Sequence, residues 1–237
     1  MSQYEILNKE DHRQLRIKTG YSAAFGDAVM HVMTYPMEFR DLQSFYPILF
    51  TKDSNTGGFF AAALMGFESD QNLFLKDDGW DARYVPAMIQ RQPFLMATGA
   101  NGDAASPVVS LDLDHPRVSQ DEGEALFDAE GEPSGFLNQK IALLEKLHHG
   151  LRHGTGFIDT LLKHQLLEQI TLDLTFNDGR KKSVQGFYCI AEERLYKLKG
   201  DVLESLNEAG YLQPVFMAVA SLSRIREIIE RRNRLRA

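Results

Sequence analysis

The chain has 237 residues, 43% of them hydrophobic and 25% charged, which excludes global disorder and leaves enough length to bury a sizeable core. Its formal net charge of −7 is unevenly spread: the last fourteen residues, Arg224 to Ala237, hold six arginines against Glu227 and Glu230, a net of +4, so the remainder sits at −11. A body this acidic argues against nucleic-acid binding, whose affinity rests on neutralising phosphates.

Taken in chain order, residues 4 to 18 are polar with scattered apolar positions, and Ala28 to Thr34 reads as a strand before Pro36. Phe39, Leu42 and Phe45 share one face of an expected helix over Met37 to Phe45. Pro47 ends it, since the residue before a proline is pushed out of the helical region. Ile48 to Thr51 and Phe59 to Gly66 then form an expected β-hairpin, with Asp53, Asn55 and the Gly57-Gly58 pair supplying turn chemistry. A short strand is expected over Asn72 to Leu75. A helix is expected over Asp81 to Gln90, kinked or delayed by Pro86. Pro93 to Ala97 and Val108 to Leu113 read as strands around a loop of Gly, Ala, Asn and Asp. Between Asp112 and Glu132 stand eight carboxylates with Arg117 as the one strong base, the composition of a linker or exposed excursion.

The second half has a different texture. Leu137, Ile141, Leu144, Leu147 and Leu151 keep helical spacing, Gly154 and Gly156 punctuate it, and Phe157 to Leu167 resumes it. Ile170, Leu172, Leu174 and Phe176 alternate with polar residues, Asn177-Asp178-Gly179 turns the chain, and Ser183 to Ile190 returns as the second arm of a hairpin. Ala191 to Leu206 reads as a helix with Glu192 and Glu193 in its first turn, where the dipole favours negative charge. A final helix starts near Pro214. Its stripe of Val215, Val219, Leu222, Ile225, Ile229 and Leu235 is a core face or a homodimer seam, and the arginine-rich end beyond Ile229 is expected in water.

The expected fold is therefore α+β, with antiparallel β-hairpins, packed helices and a helical C-terminal end. One domain over 1–237 is expected, subdividing into a β-rich aromatic half (1–111), an acidic linker (112–135) and a helix-rich half (136–237). No apolar run reaches the roughly 18 to 20 residues of a membrane-spanning helix, and the first residues show no secretory signal, so membrane insertion is not expected and the cytoplasm is the expected location.

Motifs for common chemistries are missing: no phosphate-binding glycine loop, no dinucleotide fingerprint and no nucleophile elbow. Glu145, His148, His149 and His153 fall on one expected helix, and Glu145 with His148 has the spacing used in carboxylate-bridged di-iron bundles. A second such pair is absent, so ordinary surface and boundary histidines are the simpler reading. The acidic stretch does not match the twelve-residue calcium loop. Cys189 stands alone, which excludes an intramolecular disulfide and a cysteine metal cluster, and its place in an apolar strand suits a small buried hydrophobe.

The densest feature is Phe45 to Phe94, where three prolines and ten aromatic residues share fifty positions. Its words are Tyr46-Pro47-Ile48, Phe50, Gly66, Asn72-Leu73-Phe74, Trp80 with Tyr84 and Pro86, and Arg91 with Pro93-Phe94. Further words follow at Arg117-Val118-Ser119, Gly123-Glu124-Ala125-Leu126-Phe127-Asp128, Gly131-Glu132-Pro133, Gly186-Phe187-Tyr188 and Gly210-Tyr211-Leu212. This succession, over about residues 25 to 230, resembles the SapC family of bacterial proteins. The resemblance implies a role toward the cell envelope, from the family's association with a surface-layer locus. It also implies accessory work beside halogenase-like, cupin-like and outer-membrane-receptor genes. No catalytic residue set comes with it, and the transporter permease that shares the name is excluded by the lack of membrane helices.

The preferred reading is a cytoplasmic, non-enzymatic accessory or binding protein with no cofactor, taking a small ligand or a protein partner. Trp80, Tyr84 and Phe94 are the candidate walls of its site, with Asn72, Arg83 and Arg91 orienting a polar or anionic group. The plainer alternative makes these aromatics core. Two competing classes are a metal-dependent enzyme using His148, His149 or His153, and a structural component of the surface layer, which would need export.

Overall fold

Leu172 and Leu174 are buried while their neighbours Asp173 and Thr175 face water, and this period-two pattern builds the longest hairpin of the protein. Strand Leu167–Thr175 pairs antiparallel with Lys181–Ile190, and the ladder shifts register between Ile170 and Leu172. The chain turns at Gly179, whose φ of 76° lies in the left-handed region open to glycine. Residues 3–77, 79–97 and 107–235 are described by a computed structural model. The expected α+β fold is present, with several antiparallel sheets and a helical C-terminal end. The loop expected between the strands ending at Ala97 and starting at Val108 lies mostly outside the described residues.

The chain divides into two units. The first comprises Met1–Asp27, Asp77–Gly79 and Ala87–His149, and the second Ala28–Lys76, Trp80–Pro86 and Gly150–Ala237.

In the first unit, strand Val108–Asp112 lies between Tyr4–Ile6 and Phe94–Ala97, and Arg16–Ile17 lies between Val118–Ser119 and Glu124–Ala125. Residues 112–135, read from sequence as an acidic linker, thus contribute two strands to this unit. They also supply Leu126 and Phe127 to a core with Ile17, Phe94, Leu111, Leu137 and Leu144. Arg117 is buried there: its Nη2 donates to both Asp27 carboxylate oxygens at 3.0 and 2.7 Å, and its Nη1 donates to the Lys18 and Gly20 carbonyls. The Tyr21 and Phe25 rings flank the guanidinium.

The second unit is built on a five-stranded antiparallel sheet in the order Leu167–Thr175, Lys181–Ile190, Ile48–Lys52, Phe59–Leu64, His31–Thr34. The expected hairpin is present, with Ile48 opposite Ala63 and Lys52 opposite Phe59. Phe39, Leu42, Tyr46, Phe50, Phe74, Phe157 and Phe187 are fully or almost fully buried in this unit. Ser221 ties the C-terminal helices in, accepting from the Ile48 N–H at 2.8 Å and donating to the Ala218 carbonyl at 2.6 Å.

Several helices differ from expectation. Asp81 to Gln90 is helical only over Ala87–Gln90, because Pro86 has no N–H to continue the ladder and biases Val85 toward extended backbone. The expected strand over Asn72 to Leu75 shrinks to Leu75–Lys76, since the Asn72 side chain accepts from the Phe74 N–H at 3.0 Å and makes a turn instead. Ala191 to Leu206 breaks into Glu192–Leu195 and Gly200–Glu208. Conversely, Gly135–Lys163 is one uninterrupted helix despite Gly150, Gly154 and Gly156.

Those glycines mark close packing. A Cβ at Gly150 would stand 2.8 Å from Met37 Sδ and 3.2 Å from Tyr35 Cβ, one at Gly154 3.0 Å from Tyr35 Cδ1, and one at Gly156 2.6 Å from the Tyr211 hydroxyl oxygen. At the C-terminus, Arg231 and Arg232 depart from the expectation of a solvated end. Arg231 donates to Asp81 at 2.5 Å and to Glu227 at 3.1 Å over the face of Phe74, and Arg232 donates to Asp178 at 2.9 Å over Phe176.

Two outcomes are expected. Gly123 has a φ of 103°, and an added Cβ would fall against the Ile17 carbonyl, so Gly123→Ala lowers stability by about 2 kcal/mol or more. Gly200→Ala, at an ordinary φ in open space, stays within about 0.5 kcal/mol of the parent; urea unfolding of both variants measures the contrast. The hydrogen bonds of Arg180, followed by that of Arg232, hold the Asp178 carboxyl at about 2 against an ordinary 3.8. A depressed folded value stabilises above the ordinary range and is lost as pH falls through about 2. Thermal unfolding of Asp178→Asn and the parent should therefore differ near neutral pH and converge toward that acid limit.

Candidate functional site

An apolar recess lies within the second unit, and its floor follows from sheet order. His31–Thr34 is an edge strand, and the segment continues into Tyr35 and Pro36. Phe59, Phe60 and Ala61 come from its neighbour, and the helix from Leu151 to Leu162 supplies the facing wall. Gly150 and Gly154 allow that helix to reach the Tyr35 ring. The result is a half-open cleft of about 470 Å³ with a predominantly apolar lining. Leu151 and Leu162 are 51% and 42% exposed, so apolar helix surface is presented at the cleft rather than packed away.

A polar rim closes one end. The Asp53 carboxylate accepts from the Asn55 N–H at 3.0 Å and from both the N–H and hydroxyl of Thr56, at 2.7 and 3.0 Å. The Gly57 N–H returns to the Asp53 carbonyl at 2.8 Å. These bonds, with the Thr56 backbone N–H contributing most, hold the Asp53 carboxyl below its usual range and therefore ionised near neutral pH. Asp159 adds a second carboxylate, and among the described residues no lysine or arginine lines the cleft. The lining chemistry suits an apolar body with a neutral or cationic polar end.

Thr34, which lines the cleft, is also the end of a buried hydrogen-bond relay. Its hydroxyl donates to Glu38 Oε2 at 2.7 Å, and the Tyr84 hydroxyl donates to Glu38 Oε1 at 3.0 Å. Burial, then the Glu38 charge, pushes the Tyr84 phenol far above its ordinary value, so it stays a donor. The Tyr84 carbonyl accepts from the Tyr46 hydroxyl at 2.6 Å, which accepts from Trp80 Nε1 at 2.8 Å.

The residues singled out in the sequence are thus dispersed. Trp80 and Tyr84 meet through Tyr46, Asn72 shapes a buried turn, and Arg83 is exposed. Arg91 belongs to the first unit, where its Nη1 donates to the Phe94 carbonyl at 2.8 Å, and Phe94 is fully buried in that unit's core. None of the six lines the apolar cleft.

The metal alternative is not assembled: among the described residues no group of three or more His, Cys, Asp and Glu side chains is placed to hold an ion. Glu145, His149 and His153 are exposed and His148 is half-buried. His148 meets His149 ring to ring at 6.3 Å, and His153 packs edge-on against Tyr211 at 5.0 Å. Steps of three and four residues set neighbours on one helix face, yet sharing a face does not by itself bring ligand atoms together around one ion. Cys189 is buried, and burial pushes its thiol up, away from nucleophile chemistry.

Sequence reasoning missed Glu38 and the cleft. The signal for the cleft was the Gly150 and Gly154 pair, four residues apart on a leucine-bearing helix. Glu38 carried no signal, because a carboxylate in a short helix reads as surface.

The model of the family described as SapC matches residues 7–228. No curated protein matches the chain, and no solved structure matches it.

Tyr84→Phe leaves the Glu38 carboxylate one donor short and is expected to cost about 1 to 3 kcal/mol in chemical unfolding. Thr34→Val acts on the same carboxylate. The double variant should depart from the sum of the two by about 0.5 kcal/mol or more, which additive, unrelated losses would not produce.

Proposed function

The chain belongs to the SapC family, and we propose that it serves as a non-catalytic binding protein that takes an apolar ligand with a neutral or cationic end into the cleft of its second unit. The carrying observation is the cleft itself, with its apolar walls, exposed Leu151 and Leu162 and a rim holding carboxylates with no lysine or arginine among the described lining residues. A recess of about 470 Å³ is within the size range of small-molecule sites. A ligand burying about 300 Å² of apolar surface gains roughly 7 kcal/mol before the cost of immobilisation, which points to micromolar or weaker binding unless the polar end is also engaged. The family name supports an accessory role toward the cell envelope, and the cytoplasm is the location we propose for it.

A neutral environment-sensitive dye, Nile red, tests the reading. The parent protein should give saturable, blue-shifted emission. Leu162→Glu, which sets a charge in the apolar mouth, and Thr155→Phe, which fills it, should each weaken binding about tenfold or more. Both side chains are exposed, so the unfolding midpoint should move by no more than about 2 °C. Equal dye affinity in the parent and both variants would remove the cleft as the site.

A further inference from the structure

A second recess lies within the first unit and has the opposite chemistry. It measures about 520 Å³, its lining is more polar than apolar, and Lys18, Arg117 and Lys140 all line it. Lys18 is matched by Glu122 at 3.0 Å, and Arg117 by Asp27. Lys140 is different: its ammonium donates to the Gln90 carbonyl at 2.7 Å, lies 5.2 Å from the Phe136 ring centroid and has no carboxylate partner among the described residues. A half-buried ammonium with a neutral acceptor retains donors to spare. Burial, followed by the positive charge of Arg117, lowers the Lys140 pKa.

Arg117 lends its charge to the recess rather than a free donor: the residue is 3% exposed, its Nη1 and Nη2 are taken by the Lys18 and Gly20 carbonyls and by Asp27, and its Nε is closed off from water. The lining also includes Gly135 and Phe136, the opening turn of the 29-residue helix Gly135–Lys163, whose amide end carries partial positive charge. Glu124 sits on the lining as an exposed carboxylate and limits how far a negative ligand extends in its direction.

We propose that this recess binds a small oxyanion, a carboxylate or a phosphate monoester, with its charged end held by the Lys140 ammonium at the first turn of that helix. The site is separate from the apolar cleft in residues and in ligand charge. Its occupant brings to the recess the negative charge that Lys140 lacks, and an ammonium with donors to spare suits an oxygen of either group.

Isothermal titration of the full chain with inorganic phosphate, and separately with succinate, at ionic strength matched by sodium chloride, tests this. At least one of the two should bind saturably, and which one does identifies the oxyanion class. Lys140→Met keeps the stem and removes the charge, while Gln139→Glu adds a carboxylate at an exposed lining position; each should weaken binding about tenfold or more. Lys146→Met, an exposed change on the same helix outside the recess, should leave affinity within about twofold. Should Lys140→Met fail to fold, Gln139→Glu decides. Absence of binding by the parent to both anions at tens of millimolar, or undiminished binding in the variants, overturns the proposal. Leu162→Glu should retain oxyanion binding, which keeps this outcome independent of the Nile red result.

Discussion

A carboxylate removed from water must be surrounded by donors, and in the second unit Glu38 imposes that requirement at 5% exposure. Thr34 and Tyr84 meet it from two directions in the sequence, one at the end of an edge strand and one in the segment after Trp80. Each is then held a second way. Thr34 is paired into the sheet opposite Ala61, and the Tyr84 carbonyl is claimed by the Tyr46 hydroxyl. The irregular backbone from Trp80 to Pro86 therefore keeps a defined path without a helix or long strand of its own. The aromatic density that first draws the eye serves this anchoring, and through Thr34 it fixes one part of the apolar cleft.

The facing wall depends on a complementary economy of side chains. Gly150 and Gly154 sacrifice helix propensity of about 1 kcal/mol each so that the helix can rest against Tyr35. The ring in return covers backbone that would otherwise be open. Larger residues there would push the helix outward and change the width of the cleft, so recess shape and helix composition are one constraint. In the first unit the corresponding demand is electrostatic. Asp27 satisfies the Nη2 of Arg117 with two hydrogen bonds, while carbonyls and aromatic faces take up most of the remaining surface of the guanidinium.

Much of the sheet framework was legible in the sequence. The hairpins over 48–64 and 167–190 announce themselves because alternation and turn residues are local, and local signals survive without knowledge of tertiary contacts. Glycines in the long helix were read as punctuation because their cost is visible in sequence, whereas the compensating contacts with Tyr35, Met37 and Tyr211 are distant along the chain. The linker reading of 112–135 failed to foresee its strands for a similar reason: composition registered eight carboxylates, while pairing with Arg16–Ile17 and burial of Leu126 depend on partners a hundred residues away. At the site, residue types associated with recognition were found but their company was not. Trp80 and Tyr84 join a relay centred on a glutamate that sequence leaves inconspicuous, and Arg91 and Phe94 belong to another unit.

The arginines at the C-terminus carry a consequence for the behaviour of the protein in a crowded polyanionic solution. Arg231 and Arg232 arrive with their own counter-charges, supplied by Asp81, Glu227 and Asp178, and both guanidinium planes lie over phenylalanine rings. Cations so matched would have to give up those carboxylates before they could neutralise phosphates, so they displace few of the counterions condensed on a nucleic acid. Arg231 and Arg232 therefore behave as internal cement, and at these two positions changes in salt concentration should register as small adjustments of helix docking rather than as capture or release of a polyanion.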